Sequence, residues 1–341
     1  MKILITGIHG FIGGNLVTAL KELHTIYGLD IVSQKRDGID RTFGWNEFEI
    51  IPSVDLIIHL AGKAHDTKNQ TEAQVYFDIN TGLTKKIFDW FLISGARKFI
   101  FFSSVKAAAD HVVGDFLTEE VIPAPKGPYG ESKLAAEKYL SERLQEYTRG
   151  GEGEGARGRK GDWEIGSEGD KARGQWGERD KKVYILRPCM IHGPGNKGNL
   201  NLLYKLVQKG FPWPLGAFEN KRSFTSIDNL SYLISQLIEK NIETGIYQVA
   251  DDEALSTNEL IRLIAEVQNQ KSRIWNISKK PIIFLAKIGD FLHLPLNNQR
   301  LKKLTESYVV SNKKIKNALA IEKLPVTAFD GLKKTIESFQ K

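Results

Sequence analysis

The chain has 341 residues, 41% of them apolar and 26% charged, with a formal net charge of +7. This length supports two domains, or one large α/β domain with an appended lobe. The positive balance fits a mildly basic enzyme with an anionic substrate, because no Lys/Arg-rich block interleaved with aromatics marks a nucleic-acid reader. Cys189 is the single cysteine, so an internal disulfide is excluded, and no Cys/His cluster has metal-ligand spacing. No apolar run reaches the ~18 residues of a membrane span. The longest candidate, from Pro281 to Leu296, is interrupted by Lys287, Asp290 and His293. A reduced cytoplasmic setting with no membrane, nucleic-acid or metal partner is therefore expected.

In chain order, Lys2–Thr6 is a short apolar run of the kind buried on both faces of a parallel sheet. The glycine-rich stretch after it reads as a turn into a helix over Phe11–Leu23 rather than as a secretion signal. Thr25–Val32 and Asp55–His59 read as the next strands, Asn69–Gly95 as one long helix or two in succession, and Lys98–Ser103 as a fourth strand. Tyr129–Tyr147 is a strong helix and Val183–Leu186 another strand. Strands alternating with helices predict a doubly wound parallel sheet covered on both sides. Beyond it, Asn201–Gly210, Asp228–Lys240 and Thr257–Val267 look helical.

Residues 149–182 break this pattern, with 10 glycines and 17 charged residues in 34 positions. Such a segment cannot bury enough surface to offset its ordering entropy, and it reads as a disordered insertion. It leaves the end of a helix whose start lies at the carboxyl edge of the sheet, so it should emerge away from the chemistry. The domain reading is a dinucleotide-binding portion at 1–148 and 183–198, with a smaller α/β lobe, mainly substrate-binding, at 199–341.

Thr6-Gly7-Ile8-His9-Gly10-Phe11-Ile12-Gly13 joins the first strand to the first helix. Gly7, Gly10 and Gly13 let the backbone turn tightly and approach a pyrophosphate, while the helix start around Phe11 and Ile12 offers free N–H groups and positive dipole. Asp30, at the end of the second strand, can accept hydrogen bonds from an adenosine ribose and would repel a 2′-phosphate. NAD is the expected cofactor, and the neighbouring Lys35 and Arg36 keep NADP open.

Tyr129-Gly130-Glu131-Ser132-Lys133 opens a helix and places a phenol and an ammonium on one face. A nearby cation favours the phenolate, which makes Tyr129 a candidate acid/base and Lys133 its tuning partner. Ser103 and Ser104 end the fourth strand, where a hydroxyl can hold a substrate oxygen beside the tyrosine. Lys106, just beyond, either touches substrate or is solvated.

With these motifs the chain resembles the extended short-chain dehydrogenase/reductases, specifically the NAD-dependent epimerase/dehydratase family. The likeness runs through TGIHGFIG at 6–13, DLIIHLAG at 55–62, DINTGLTKK around Asn80, FFSS at 101–104 and YGESK at 129–133. It continues in LRPCMIHGPG at 186–195, NKRSFTSIDNL at 220–230 and GIYQVAD at 245–251. It implies a Rossmann-type fold, Tyr129 as acid/base on a sugar hydroxyl, Lys133 on the nicotinamide ribose and Ser104 on the reacting oxygen. It also implies Leu60, Ala61, Gly62 and Asn80 around the cofactor. Asn199, Arg222 and Arg300 would contact the diphosphate of a nucleotide sugar, with UDP expected. Dimerisation through helices 69–95 and 129–148 is implied as well.

Departures from the family pattern narrow the reaction. The acidic pair that performs 4,6-dehydration in relatives is here Val105 and Lys106, and valine transfers no proton. A C4 epimerase and a 4-keto reductase of surface-polysaccharide synthesis remain, in that order. A non-catalytic dinucleotide sensor is disfavoured because both Tyr129 and Lys133 are present.

Overall fold

The computed structural model describes residues 1–32, 34–64, 72–150, 181–196, 198–291 and 297–340. By its internal contacts the chain divides into two units. The first comprises Met1–Ala109, Ile122–Arg187 and Ser235–Tyr247; the second comprises Asp110–Val121, Pro188–Ile234 and Gln248–Lys341. Residues 188–198, grouped above with the dinucleotide-binding portion, thus fall in the second unit, and 235–247 fall in the first.

The first unit begins with β1 (Lys2–Thr6), α1 (Phe11–Leu20), β2 (Thr25–Leu29), β3 (Arg41–Phe43) and β4 (Leu56–His59). A helical run follows: α2 (Ala73–Tyr76), a wide π-type turn over Phe77–Gly82, and α3 (Leu83–Ile93). Then come β5 (Lys98–Phe102), α4 (Val105–Ala108), α5 (Pro128–Gly150) and β6 (Lys182–Pro188). The second unit contributes β7 (Met190–His192), α6 (Asn199–Gln208), β8 (Arg222–Ser226), α7 (Ile227–Glu239), β9 (Gly245–Val249) and β10 (Ala254–Leu255), with α7 and β9 running into the first unit. Five helices follow: α8 (Thr257–Val267), α9 (Lys279–Phe291), α10 (Asn298–Thr305), α11 (Lys313–Leu319) and α12 (Ala328–Glu337).

The large sheet has the order β3-β2-β1-β4-β5-β6-β9, and its pairings from β3 through β6 are parallel. Strands β4 and β5 are buried at every position, because helices cover both faces and continuous apolar runs such as Lys98–Phe102 suit that setting. Strand order reverses at β1, whose neighbours are β2 and β4, so a crevice opens beyond the carboxyl ends of β1 and β4. A three-stranded sheet, β10-β8-β7, belongs to the second unit, where α6, α8, α9, α10 and α12 supply a separate apolar core.

Several elements differ from the sequence reading. The first helix stops at Leu20 rather than Leu23, where the chain turns back with His24 N–H donating to the Leu20 carbonyl. The second strand stops at Leu29, and the segment expected as one or two helices over 69–95 is split by the wide turn at 77–82. The helix from Pro128 continues through Gly150, and Lys182 already opens β6, so the insertion is narrower than 149–182. Residues 151–180, on which the expectation of disorder falls, lie outside the described residues. Lys181 donates its ammonium to the carbonyls of Phe91, Ser94 and Ala96 at the C-terminal end of α3. Lys98 does the same for α7 through the carbonyls of Leu237, Ile238 and Lys240.

Candidate active site

The first unit gathers two sets of residues. The first lies at the crevice between β1 and β4. Gly7 takes φ +67, and a Cβ there would sit 2.9 Å from the Ala61 nitrogen. At Gly13 a Cβ would stand 2.5 Å from the Ile8 carbonyl oxygen. Both positions require glycine, one for its backbone and both for a close approach. Helix α1 then starts at Phe11 and Ile12 with Gly10 as its N-cap, no capping side chain and no acidic residue in its first turn. Its first N–H groups are left for an external anion.

Asp30 directly follows β2. One carboxylate oxygen accepts from His9 N–H (3.0 Å) and the other from Ile31 N–H (2.7 Å), which orients the group and leaves lone pairs for a diol. Arg36, which kept a 2′-phosphate open, donates to the Gly14 carbonyl at 3.2 Å. The glycine cradle, uncapped helix start and oriented carboxylate fit a dinucleotide.

Leu60, Ala61 and Gly62 follow β4. Their loop is fixed by a directional chain of hydrogen bonds. Ala61 N–H donates to the Thr6 hydroxyl (3.0 Å), Thr6 lies 2.7 Å from His59 Nδ1, His59 Nε2 lies 2.9 Å from the Thr84 hydroxyl, and Thr84 donates to the Asn80 carbonyl (2.6 Å). Since Thr84 has only one proton to give, His59 Nε2 must be the donor to it, and Thr6 donates to a bare Nδ1. Burial pushes His59 well below its ordinary pKa of 6.5, and the Lys133 charge adds to this, so the ring is neutral.

Asn80 sits in the π-type turn, fully buried. Its side chain accepts from Lys63 N–H (2.7 Å) and donates to the Ser132 hydroxyl (3.0 Å). The turn thus links the loop after β4 to the first turn of α5. Widened helical turns of this kind recur at functional sites.

The second set stands at the carboxyl end of β5. Ser104 caps α4 and accepts from Lys106 N–H at 3.2 Å. Its side chain is hydrogen-bonded to the Tyr129 phenol, which opens α5. A Cβ on Gly130 would collide with the Lys106 carbonyl oxygen, so this glycine lets α5 close on α4 and brings Tyr129 to Ser104. Tyr76 packs edge-on against Tyr129, with ring centroids 6.2 Å apart. Sequence reasoning missed both residues; the glycine inside Tyr-Gly-Glu-Ser-Lys was the only signal for one, and nothing local marked Tyr76.

Burial pushes the Tyr129 phenol above its ordinary value, the Ser104 hydrogen bond draws it back, and the Tyr76 phenol opposes ionisation. Lys133, expected to lower this pKa, stands one turn further along α5. Its ammonium donates to the Phe102 carbonyl (2.8 Å) and lies over the Phe101 ring, 5.0 Å from the centroid. Burial lowers Lys133 to about 8, with the Glu137 carboxylate raising it in part, so it carries charge at neutral pH. Beneath it, Ser103 donates to Glu137 (2.5 Å), and Glu137 pairs with Arg187 through contacts of 2.9 and 2.5 Å.

Residues Asn199, Arg222 and Arg300 belong to the second unit. Asn199 opens α6 and Arg300 lies in the first turn of α10. Arg222 opens β8, where it donates to the carbonyls of Lys303 and Glu306 and has a buried Nε without a hydrogen-bond partner among the described residues.

Residues 3–150 match the model of the NAD dependent epimerase/dehydratase family. A protein of Vibrio cholerae named UDP-glucose 4-epimerase is 29% identical over 99% of this chain and 95% of its own length. A GDP-6-deoxy-D-mannose reductase of Pseudomonas aeruginosa is 23% identical over 78% of this chain and 80% of its length. Among solved structures, a UDP-glucuronic acid 4-epimerase of Bacillus cereus in complex with NAD superimposes with a TM-score of 0.68 at 19% identity, covering 100% of this chain and 99% of that one. The glycine cradle and the Ser104–Tyr129–Lys133 cluster thus lie within the segment, residues 3–150, that matches the model of the NAD dependent epimerase/dehydratase family.

Proposed function

We propose that this protein is an NAD-dependent 4-epimerase of a UDP-hexose or UDP-N-acetylhexosamine. The observation that carries the reading is the Ser104–Tyr129 hydrogen bond beside a buried, charged Lys133, at the end of the strand next to a dinucleotide cradle. Tyr129 would take the proton from the C4 hydroxyl and return it, while Ser104 holds the oxygen and shares its hydrogen bond. Bound NAD supplies the reversible removal of hydride from C4. Lys133, charged at neutral pH, would hold the nicotinamide ribose, and Gly7, Gly10, Phe11, Ile12, Gly13, Asp30, Leu60, Ala61, Gly62 and Asn80 would hold the rest of the dinucleotide. Ser103 and Lys106 flank the reacting sugar in this reading, and Asn199, Arg222 and Arg300 are assigned to the nucleotide diphosphate.

Val105 supports the exclusion of dehydration, since the residue after Ser104 carries no titratable group. The same residues used once perform reduction of a 4-keto sugar nucleotide, an activity of the kind named for the Pseudomonas relative. We further place the enzyme in the cytoplasm as a homodimer, paired through the helices at 73–93 and 128–150, and acting in surface-polysaccharide synthesis; sedimentation velocity tests the dimer.

The test is a proton NMR time course with UDP-glucose and UDP-N-acetylglucosamine and a trace of NAD. Accumulation of the C4 epimer beyond the amount of NAD supplied supports the epimerase. Unchanged substrates, with NADH consumed only when a 4-keto sugar nucleotide is added, support the reductase instead. Tyr129→Phe should lower turnover by about 10²- to 10⁴-fold while the dinucleotide still binds.

A further inference from the structure

Helix α9 carries two apolar stripes where a surface helix needs one. Ile282 and Ala286, one turn apart, are buried in the core of the second unit with Leu301 of α10. On the other side Pro281, Phe284 and Leu285 follow the i, i+3, i+4 spacing of a second stripe, and it faces solvent. Phe284 is 63% exposed and Leu285 53%.

The segment leading into the helix also exposes apolar side chains. Trp275 is 55% exposed although its backbone is fixed on both sides: Trp275 N–H donates to the Trp213 carbonyl (2.8 Å), and Gly216 N–H donates to the Trp275 carbonyl (3.1 Å). Its neighbour Ile274 packs on the core, so strand-like alternation turns the indole outward. Ile277 is exposed as well.

Charge decides what this face fits. Between positions 271 and 290 the chain has five basic residues, Lys271, Arg273, Lys279, Lys280 and Lys287, and one acidic residue, Asp290. Asp290 is engaged by Asn298 through its backbone and side-chain amides. Lys280 and Lys287 are exposed on α9 and form no ion pair among the described residues. A symmetric contact with a second copy would bring two such cationic rims together, which is unfavourable. An anionic bilayer offers acyl chains to the apolar stripe and headgroup phosphates to the lysines at once.

We propose that Trp275, Ile277, Phe284 and Leu285, flanked by Lys280 and Lys287, form a docking surface for an anionic membrane. The attachment is peripheral: the helix lies along the surface, as its 13 residues are too few to span it. The expectation of no membrane partner rested on the lack of a spanning segment, which a peripheral contact does not need.

The test is co-sedimentation of the full chain with vesicles of phosphatidylcholine containing phosphatidylglycerol, against vesicles of phosphatidylcholine alone. Binding is expected only to the anionic vesicles and should weaken at high salt. Phe284→Ser with Leu285→Ser should reduce the bound fraction at least ~10-fold, and Lys280→Glu with Lys287→Glu similarly. Both pairs are exposed, so an unchanged thermal melt is expected and checks the fold. No binding to anionic vesicles, or undiminished binding by the Phe284/Leu285 variant, overturns the proposal. So does a wild-type dimer that this variant turns into monomer, for then a second copy covers the face. The assay uses no turnover, so its failure leaves the epimerase reading standing.

Discussion

Glu137 and Arg187 form a buried ion pair, both nearly inaccessible to water, with Ser103 donating to the same carboxylate. Glu137 lies two turns beyond Tyr129 and one turn beyond Lys133 on α5, so a single helix face carries phenol, ammonium and carboxylate in sequence. Glu137 is the group that raises Lys133 against the effect of burial. Glu137→Gln should therefore lower the Lys133 pKa below its present value of about 8, and the alkaline limb of the kcat profile should move to lower pH. Breaking a buried pair also costs about 3–5 kcal/mol of stability, so the profile is read below the melting transition. A purely structural role would lower the melting temperature and leave the limb in place. Ser103→Ala, which keeps the ion pair, should change the profile much less.

The glycine cradle makes a second prediction. Gly13→Ala places a methyl 2.5 Å from the Ile8 carbonyl oxygen, closer than packed atoms allow. The turn must shift by more than side-chain adjustment can absorb, because the clashing atom is backbone. Dinucleotide affinity measured by calorimetry should fall at least tenfold, about 1.4 kcal/mol. Affinity equal to wild type would remove this turn from the cofactor site.

His59 sets a pH dependence of stability. Its folded pKa lies well below 6.5, so below that pH the unfolded chain binds a proton that the folded chain does not. The stability is present in full above about 6.5 and declines as the pH falls, by at most about 1.4 kcal/mol per unit from this group, until the folded value is reached. Urea midpoints should follow this course in the wild type, and His59→Asn should flatten it. A midpoint independent of pH between about 6.5 and 5 in the wild type would contradict the neutral ring.

Tyr129 and Gly150 stand near opposite ends of α5, about 30 Å apart at the helical rise. Lys181, just after this segment, is held by the carbonyls at the end of α3. Replacing residues 151–180 with a short glycine link should leave kcat within about twofold, since loop closure costs vary slowly with length. A large loss of turnover in a folded deletion variant would give the segment a part in the chemistry.

Cys189 supplies a simple check on the core of the second unit. Burial pushes its thiol to about 12, against the hydrogen bond with Thr225, so it should resist alkylation at pH 8 until the protein unfolds.

Much of the candidate site's geometry was legible in sequence because its parts are local. The turn between β1 and α1 requires glycine for reasons of backbone geometry, and Tyr129 and Lys133 share a face through helical spacing alone. Asp30 follows from where the second strand ends. The partners of Lys133 were not legible. Whether its ammonium meets the phenol or the Phe102 carbonyl depends on how closely α5 lies on β5, and no local pattern encodes that distance.

By itself, then, the sequence determined the alternation of strands and helices, the glycine turn after β1 and the helical spacing of Tyr129 and Lys133, because each arises from periodicity or spacing over a few residues. Only the tertiary structure decided the π-type turn that carries Asn80, the His59 chain, the burial of Glu137 against Arg187 and the outward face of α9. Those depend on which surfaces become buried when distant segments meet, and burial is a property of the packed whole.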